Sequence, residues 1–264
     1  MPTLRSTLAV TGMSLALSTP ALAQARPAGS APMKPEETEV WKPVPAIVTP
    51  GKTNSDAPSD AIVLFDGRDL SQWERASNKG PADWTVADGI ATVKKSTGDI
   101  MTKRSFDNYQ LHIEWRIPTN VTGSGQARGN SGVYLAWNGT DGYELQVLDS
   151  YQNETYVNGQ AGSMYKQFPP LVNAARKPGE WQTYDVVWTA PVFDAKGGLV
   201  SPAYVTAFHN GVLVQNHVAL RGVTKYIGTP TYTAHGATPI LLQAHGDPSP
   251  PISYRNIWVR PLMK

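Results

Sequence analysis

Three polar residues interrupt a short apolar run near the middle of the chain. The segment GYELQVLDS, residues 142–150, places Glu144, Gln146 and Asp149 in an E-x-Q-x-x-D pattern. Two carboxylates on one face of a strand can divide general-base and general-acid work between them. Because side chains alternate along a strand, Glu144 and Gln146 should face one side and Asp149 the other. A β-bulge between Gln146 and Asp149 would return the second carboxylate to the first face; without one, the segment is an ordinary edge strand with solvated polar residues.

Further candidates for chemistry lie in other segments. His245 ends the apolar run PILLQAH, shares a face with Gln243 and is suited to proton transfer. Asn130 stands at the start of the strand-like SGVYL, where it forms a turn or binds hydroxyl groups. Lys166 and Arg255 each carry a cation that could polarise a carbonyl oxygen. The sequence therefore predicts one site assembled from several separated segments.

Composition excludes several classes of function. The chain has 264 residues, no cysteine and a net charge of +2, so disulfides, thiolate metal sites and a cysteine nucleophile are absent. Lys and Arg do not cluster among aromatic residues, so we expect no nucleic-acid partner. Neither a G-x-S-x-G elbow nor a phosphate-binding loop occurs, and no histidine has a second histidine at zinc-ligand spacing.

The first 60 residues are predicted to lie outside the main domain. Residues 1–23 combine Arg5, an apolar stretch and the small-residue sequence ALA, which predicts a cleavable signal peptide too short to span a membrane. The mature protein should begin near Gln24 and be periplasmic or secreted. Residues 24–60 are rich in Pro, Ala, Lys, Glu and Ser, which favours a tether or a strap over the domain.

Short strands separated by turn residues fill the chain from residue 61 to residue 264. The segment YQLHIEWRI alternates apolar and polar side chains, as a strand with one buried face does. The pairs Asp88-Gly89 and Asn210-Gly211 each join two such runs, which predicts tight hairpins. No long 3.6-residue periodicity appears in this region. We therefore predict an all-β sandwich of two antiparallel sheets.

An ordered set of motifs resembles a known family. LFDGRDLSQW, DWTVADGIATV, NSGVYL, YELQVLD, GSMYK, PGEWQTYDVVW, HNGVLVQNH, LLQAHG and YRNIWVRPL follow one another as in the 3-keto-disaccharide hydrolase family. The resemblance covers essentially the whole region after residue 60. It implies a concanavalin-like jelly roll, and a carbohydrate substrate that is a glycoside already oxidised to a ketone at C3.

The resemblance also implies a chemistry that fits these residues. A C3 ketone acidifies the hydrogen on C2, so a base can form an enolate that expels the C1 substituent, and water can then add. Base and acid work would fall to Glu144 and Asp149, with His245 as a third proton-transfer group. Sugar hydroxyls would be bound by Asn130, Gln146 and Gln243, and the keto oxygen by Lys166 or Arg255. The sequence identifies no certain cofactor: a divalent cation held by Glu144, Asp149 and His245 could replace the Lys or Arg, and the sequence does not separate these two possibilities.

Two other functions remain compatible with the sequence. A carbohydrate-binding β-sandwich would use the same amides and aromatic residues without cleaving its ligand. A laminarinase-like glycoside hydrolase would cleave unoxidised β-glucan, and that clan has a similar strand with two acids. The middle residue of this strand is Gln146, which departs from the acid that some members of the clan carry there.

Overall fold

The computed structural model describes residues 33–262, so the predicted signal peptide and residues 24–32 of the predicted tether lie outside the described part. The chain divides into two units, one ending at Ala46 and one beginning at Ile47. In the described part of the first unit, a 3-10 turn spans Pro35–Thr38. Within residues 33–262, no helix has the length and apolar character needed to cross a membrane.

Strands dominate the second unit, with short 3-10 turns at Lys95–Thr97, Gly125–Ala127 and Val157–Gly159. In the described part of the chain the strands are β1 (Ile62–Phe65), β2 (Trp73–Arg75), β3 (Thr85–Ala87), β4 (Ile90–Thr92), β5 (Ile100–Thr102), β6 (Tyr109–Arg116), β7 (Ser131–Trp137), β8 (Gly142–Val147), β9 (Trp181–Thr189), β10 (Val192–Phe193), β11 (Leu199–Ser201), β12 (Tyr204–His209), β13 (Val212–Ala219), β14 (Leu241–Leu242) and β15 (Ser253–Pro261).

The strands form two main antiparallel sheets. The larger sheet has the order β13-β12-β9-β6-β15-β4-β3, with β1 also paired to β15, and the smaller sheet has the order β2-β5-β14-β7-β8. Strands β10 and β11 form a separate two-stranded ribbon. The predicted all-β sandwich of two antiparallel sheets is confirmed.

The two predicted hairpins are present. Asp88 and Gly89 join β3 to β4 with φ values of 52° and 76°, and Asn210 and Gly211 join β12 to β13 with φ values of 52° and 80°. Positive φ at both central residues is the geometry of a type I′ turn, whose twist matches that of the flanking strands. These turns follow from local sequence alone.

Alternation along the central strands builds the core between the sheets. On β6, Leu111, Ile113 and Trp115 are fully buried and point inward, and β8 contributes Leu145 and Val147 from the other sheet. Burying each such side chain stabilises the fold by roughly 1.5–3 kcal/mol. The side chains between these inward positions point to the outer faces of the two sheets.

Tyrosine hydroxyls from the larger sheet tie the two sheets together. Tyr184 on β9 donates to the backbone oxygen of Gln146 at 2.7 Å, and Tyr109 on β6 donates to that of Leu135 on β7 at 2.5 Å. A buried hydroxyl needs a partner, and these partners lie on strands of the smaller sheet. These hydrogen bonds therefore fix strands β7 and β8 on the side that faces the larger sheet.

The second part of the predicted strap lies against β15. The backbone oxygen of Ser55 accepts hydrogen bonds from the side chains of Asn256 and Trp258, each at 2.9 Å. Asp60 pairs with Arg260 at 2.7 Å. Residues 47–60 therefore belong structurally to the second unit, where they border the larger sheet.

Candidate active site

A cavity of about 690 Å³ opens on the outer face of the smaller sheet. Most of its lining side chains are amides, hydroxyls or ionisable groups. The lining residues are Gln126, Ala127, Asn130, Tyr134, Glu144, Gln146, Tyr156, Tyr165, Thr224, Tyr226, Gln243, His245, Gly246 and Asp247. The structure thus brings together five of the predicted site residues: Glu144, His245, Asn130, Gln146 and Gln243.

The pairing of β7 with β8 builds the floor of this cavity. Tyr134 lies opposite Glu144, and Gly132 lies opposite Gln146, in regular antiparallel register. Strand β8 ends at Val147, and the irregularity in this pair falls between Tyr134 and Trp137. The bulge considered between Gln146 and Asp149 is therefore absent from the register, and regular alternation alone orients Glu144 and Gln146.

Glu144 is buried and carries few partners. It is 4% exposed, and Tyr134 donates to its Oε2 at 3.2 Å. Burial raises the pKa of Glu144 to about 8, against the hydrogen bond from Tyr134 that lowers it, and the nearby charge of Asp99 adds to the rise. A carboxyl group with a pKa near neutrality is suited to general-base catalysis.

Gly132 makes room for this carboxylate. A Cβ atom at Gly132 would lie 2.6 Å from Oε1 of Glu144, closer than such atoms approach each other in proteins. Any side chain here would therefore displace the Glu144 carboxylate. The glycine in NSGVYL is thus explained by close approach rather than by a turn.

Two amide groups on the floor have unused acceptors. Gln146 donates through Nε2 to Asn130 Oδ1 at 3.1 Å and to Gln126 Oε1 at 3.3 Å, while Gln243 donates to the Tyr134 hydroxyl at 3.4 Å. The Oε1 atoms of Gln146 and Gln243 are buried and have no hydrogen-bond partner among the described residues. A ligand that brings hydroxyl donors would satisfy both.

His245 stands on one side of the cavity with an oriented ring. Its Nδ1 lies 3.1 Å from both Oδ2 and the backbone nitrogen of Asp247. The Asp247 carboxylate is held in turn by Lys95 Nζ at 3.2 Å and by the Ser249 backbone N–H at 2.9 Å. Burial would raise the pKa of Asp247, but hydrogen bonds from Ser249, His245 and Lys95 outweigh it and lower that pKa. Asp247 therefore fixes the ring and leaves Nε2 for other contacts.

Three tyrosines surround the ammonium group of Lys166 on another side. Its Nζ lies 4.1 Å from the ring centroid of Tyr156, 5.3 Å from that of Tyr226 and 5.9 Å from that of Tyr165. The hydroxyls of Tyr156 and Tyr165 are hydrogen-bonded to each other at 2.5 Å. We call these three rings the aromatic wall. Lys166 is not itself among the residues that line the cavity.

Asp149 is held away from the cavity. Its Oδ2 accepts a 2.6 Å hydrogen bond from Arg128 Nε, and its Oδ1 accepts from the backbone nitrogen of Tyr151 at 3.1 Å. The side chain is 1% exposed and does not line the cavity. The structure thus separates Asp149 from Glu144 and gives it the contacts of a buried ion pair.

Arg255 belongs to the opposite sheet. Its Nε donates to Glu114 Oε2 at 2.6 Å, and its guanidinium carbon lies 4.1 Å from the ring centroid of Trp181. Arg255 therefore pairs with Glu114 on the larger sheet and does not line the cavity. Within residues 33–262, no group of three or more His, Asp or Glu residues is arranged to hold a metal ion.

Several residues of the site were missed by sequence reasoning. Tyr134 had a local signal, because it lies two positions after Gly132 on the outward face of NSGVYL. Asp247 follows His245 in HGDP, so its proximity could have been inferred. The aromatic wall carried no such signal, since Tyr226 reaches the cavity from a loop far along the chain.

The sequence matches the family described as the 3-keto-alpha-glucoside-1,2-lyase-like domain over residues 60–260, which is most of the chain. The chain belongs to this family. Membership confirms the resemblance seen in the sequence motifs. It also supports a carbohydrate-active function for this chain.

Solved structures agree with this assignment. A candidate glycosyl hydrolase from Parabacteroides distasonis ATCC 8503 is 54% identical to this chain, with a TM-score of 0.83, and the match covers 90% of this chain and 100% of that one. A second from the same organism has 19% identity and a TM-score of 0.55, covering 77% of this chain and 94% of its own, and shows the fold alone. No match was found among curated proteins.

Proposed function

We propose that this protein cleaves 3-keto-glycosides by removing the proton on C2 and eliminating the C1 substituent. The observation that carries the proposal is Glu144, a buried carboxylate with a pKa raised to about 8 on the floor of the cavity. A base of this strength is partly ionised at neutral pH and strong enough to attack a hydrogen acidified by a neighbouring ketone. The family description supports the same chemistry.

Glu144 acts as the base in this proposal. Its carboxylate takes the C2 proton, and the C2–H electrons form the C2=C3 double bond of an enolate. The enolate electrons then return to form a C1=C2 double bond as the C1–O bond breaks. The leaving alkoxide takes a proton from the water molecule whose hydroxide adds to C1. Protonated Glu144, after exchanging its proton with solvent, then protonates C2. The products are the free 3-keto sugar and the released alcohol, so atoms and charges balance.

The remaining polar groups of the cavity bind the sugar and stabilise the enolate. The ring of His245 accepts the Asp247 backbone N–H at Nδ1, so its Nε2–H donates a hydrogen bond to the developing enolate oxygen. The free Oε1 atoms of Gln146 and Gln243 accept hydrogen bonds from sugar hydroxyls. Asp149 and Arg255, which sequence reasoning assigned to the reaction, have no part in this mechanism because both are paired outside the cavity.

An isotope experiment tests the proposal. The purified protein is incubated in D₂O with a 3-keto-glucoside or with its unoxidised parent, with and without a chelator, and released alcohol and deuterium at C2 are measured. Release from the keto sugar alone, with deuterium at C2, is expected. Binding without release would favour a carbohydrate-binding module, and cleavage of the parent would favour an ordinary glycosidase. If the chelator abolished alcohol release, a metal ion rather than His245 would be the group that stabilises the enolate.

We also propose that the chain is exported, on the basis of the signal-peptide pattern in residues 1–23. In a bacterial host the periplasmic fraction should contain a protein whose N-terminus lies near Gln24. A full-length chain confined to the cytoplasm would contradict export.

A further inference from the structure

The cavity has two chemically different sides, one at His245 and one at Tyr165, and strands β7 and β8 of the smaller sheet lie between them. Gln243 and His245 follow β14, which pairs with β7, and β7 pairs with β8. Beyond β8, the backbone nitrogen of Tyr165 donates to the oxygen of Glu144, so the segment carrying Tyr165 occupies the next position. Neighbouring strands lie ~4.8 Å apart, so about 14 Å separate the His245 side from the Tyr165 side. Glu144 lies between the two sides.

This order matches the order of the reacting atoms in a 3-keto-glycoside. Carbon C2, which loses its proton, lies between the C3 ketone and the C1 leaving group. With C2 above Glu144, one of these groups faces His245 and the other faces the aromatic wall. His245 is an oriented hydrogen-bond donor, which suits the ketone oxygen. The leaving group then lies against the aromatic wall.

The aromatic wall offers mainly ring surface and few hydrogen-bonding groups. The hydroxyls of Tyr156 and Tyr165 already bond to each other. Tyr226 is 70% exposed and the adjacent Ile227 is 84% exposed, while Val157, next to Tyr156, is also exposed. A second sugar presents several hydroxyls that need polar partners, whereas a planar apolar ring needs only such a surface.

We propose that the aromatic wall is a leaving-group subsite for an aromatic alcohol, so that the preferred substrates are aryl 3-keto-glycosides. The inference rests on the proposed function and adds the orientation and class of the substrate. The aryl ring stacks on Tyr226 at the mouth of the cavity, C1 lies on the same side as the wall, and the C3 ketone faces His245.

Lys166 supplies the charge that this leaving group requires. When the C1–O bond breaks, its electron pair goes to the aryl oxygen and produces a phenolate, which then takes a proton from water. In the part of the chain that the structure describes, Lys166 forms no salt bridge with a carboxylate; its ammonium lies on tyrosine faces instead. Although Lys166 does not line the cavity, its charge lies against the aromatic wall, where it can stabilise a developing phenolate. A phenol has a pKa of ~10, so its anion leaves with less assistance than a sugar alkoxide would need.

The test compares two substrates across two variants. The kcat/KM is measured for a phenyl 3-keto-glucoside and for a 3-keto-disaccharide with wild-type protein, Tyr226→Ala and the control Tyr151→Ala, which removes an exposed tyrosine outside the cavity. Tyr226→Ala should lower kcat/KM for the phenyl substrate about tenfold, the loss of one aromatic contact, and change the disaccharide less than twofold. Tyr151→Ala should leave both unchanged.

A series of substituted phenyl 3-keto-glucosides tests Lys166 separately. In Lys166→Met, the rate should depend more steeply on the pKa of the leaving phenol than in the wild type, because poor leaving groups lose most from the missing charge. Equal losses on both substrates in Tyr226→Ala, or an unchanged slope in Lys166→Met, would overturn the subsite. Cleavage of neither substrate by the wild type would instead refute the proposed function itself.

Discussion

Two glutamates on the outer faces of the two sheets have almost equal exposed fractions but pKa values shifted in opposite directions. Glu114 on β6 is 6% exposed and Glu144 on β8 is 4% exposed. Burial raises the pKa of both, but His112, Asn256 and Arg255 around Glu114 outweigh it and lower that pKa to about 2. Around Glu144, the one opposing hydrogen bond comes from Tyr134, and the pKa rises to about 8.

The difference shows that charged partners, together with depth of burial, separate a structural carboxylate from a reactive one. Arg255 Nε contacts Glu114 at 2.6 Å and Asn256 Nδ2 contacts it at 2.9 Å, so the negative charge is neutralised within the fold. Glu144 instead shares its surroundings with Asp99, whose charge opposes ionisation. At the first site, the ion pairs of Glu114 stabilise the fold. At the second site, the unpaired carboxylate of Glu144 costs stability but can act as a base on a substrate.

The largest expected effect separates the two glutamates by activity. Glu144→Gln should lower kcat on a 3-keto-glucoside by about 10³-fold, since a general base contributes 10²–10⁴-fold. Glu114→Gln should keep kcat within about threefold, because it lies on the opposite sheet and touches no cavity residue. Steady-state kinetics on both folded variants measures this. A Glu144→Gln protein that retains full activity would remove Glu144 from the mechanism.

The same pair should behave oppositely in stability. Glu114→Gln leaves the partly exposed Arg255 without its carboxylate and His112 with Asp185 alone, and should lower the free energy of unfolding at pH 7 by about 2 kcal/mol. Glu144→Gln removes a carboxyl that costs stability once the pH exceeds 4.5, its unfolded pKa, so it should stabilise the protein at pH 8 by about 2–4 kcal/mol. Urea unfolding at fixed pH checks both signs. Destabilisation by both variants would mean that the two sites do not differ as described.

Activity should depend on pH through Glu144. The base must be ionised, and with a pKa of about 8 the ionised fraction rises about 50-fold between pH 6 and pH 8. The kcat/KM should follow this rise and level off above pH 8. Stability has its own limits: the contribution of Glu114 is lost as the pH falls from 4.5 towards 2, and that of His112, whose pKa is raised to about 9, is lost as the pH rises from 6.5 through 9. An activity profile with a midpoint near pH 4.5 would refute the raised pKa.

The smallest expected effect concerns the space beside the base. Gly132→Ala places a methyl group against the Glu144 carboxylate and should lower kcat about tenfold by displacing it, with little change in KM. The control is Ala136→Gly, which alters β7, the strand that carries Gly132. Gly139→Ala is not a suitable control, because Gly139 has a positive φ of 100° that alanine would strain. Full activity in Gly132→Ala would show that the carboxylate tolerates movement.

Local pattern in the sequence determined much of this protein. Alternation along β6 and β8 identified the inward apolar residues and placed Glu144 and Gln146 on one outer face, because the period of two is a property of the strand itself. The pairs Asp88-Gly89 and Asn210-Gly211 determined two hairpins through the backbone conformations that they favour. The ordered motifs identified the family.

Only the tertiary structure decided which charged and aromatic groups meet. Asp149 belongs to the same short motif as Glu144, yet Arg128, 21 residues earlier, binds it outside the cavity. Arg255 resembles an active-site cation in sequence but lies on the other sheet beside Glu114. Tyr226 reaches Lys166 from a distant loop. Side-chain direction depends on local backbone geometry, whereas the partner that sets a carboxylate's pKa depends on sheet order and loop packing, which no local pattern encodes.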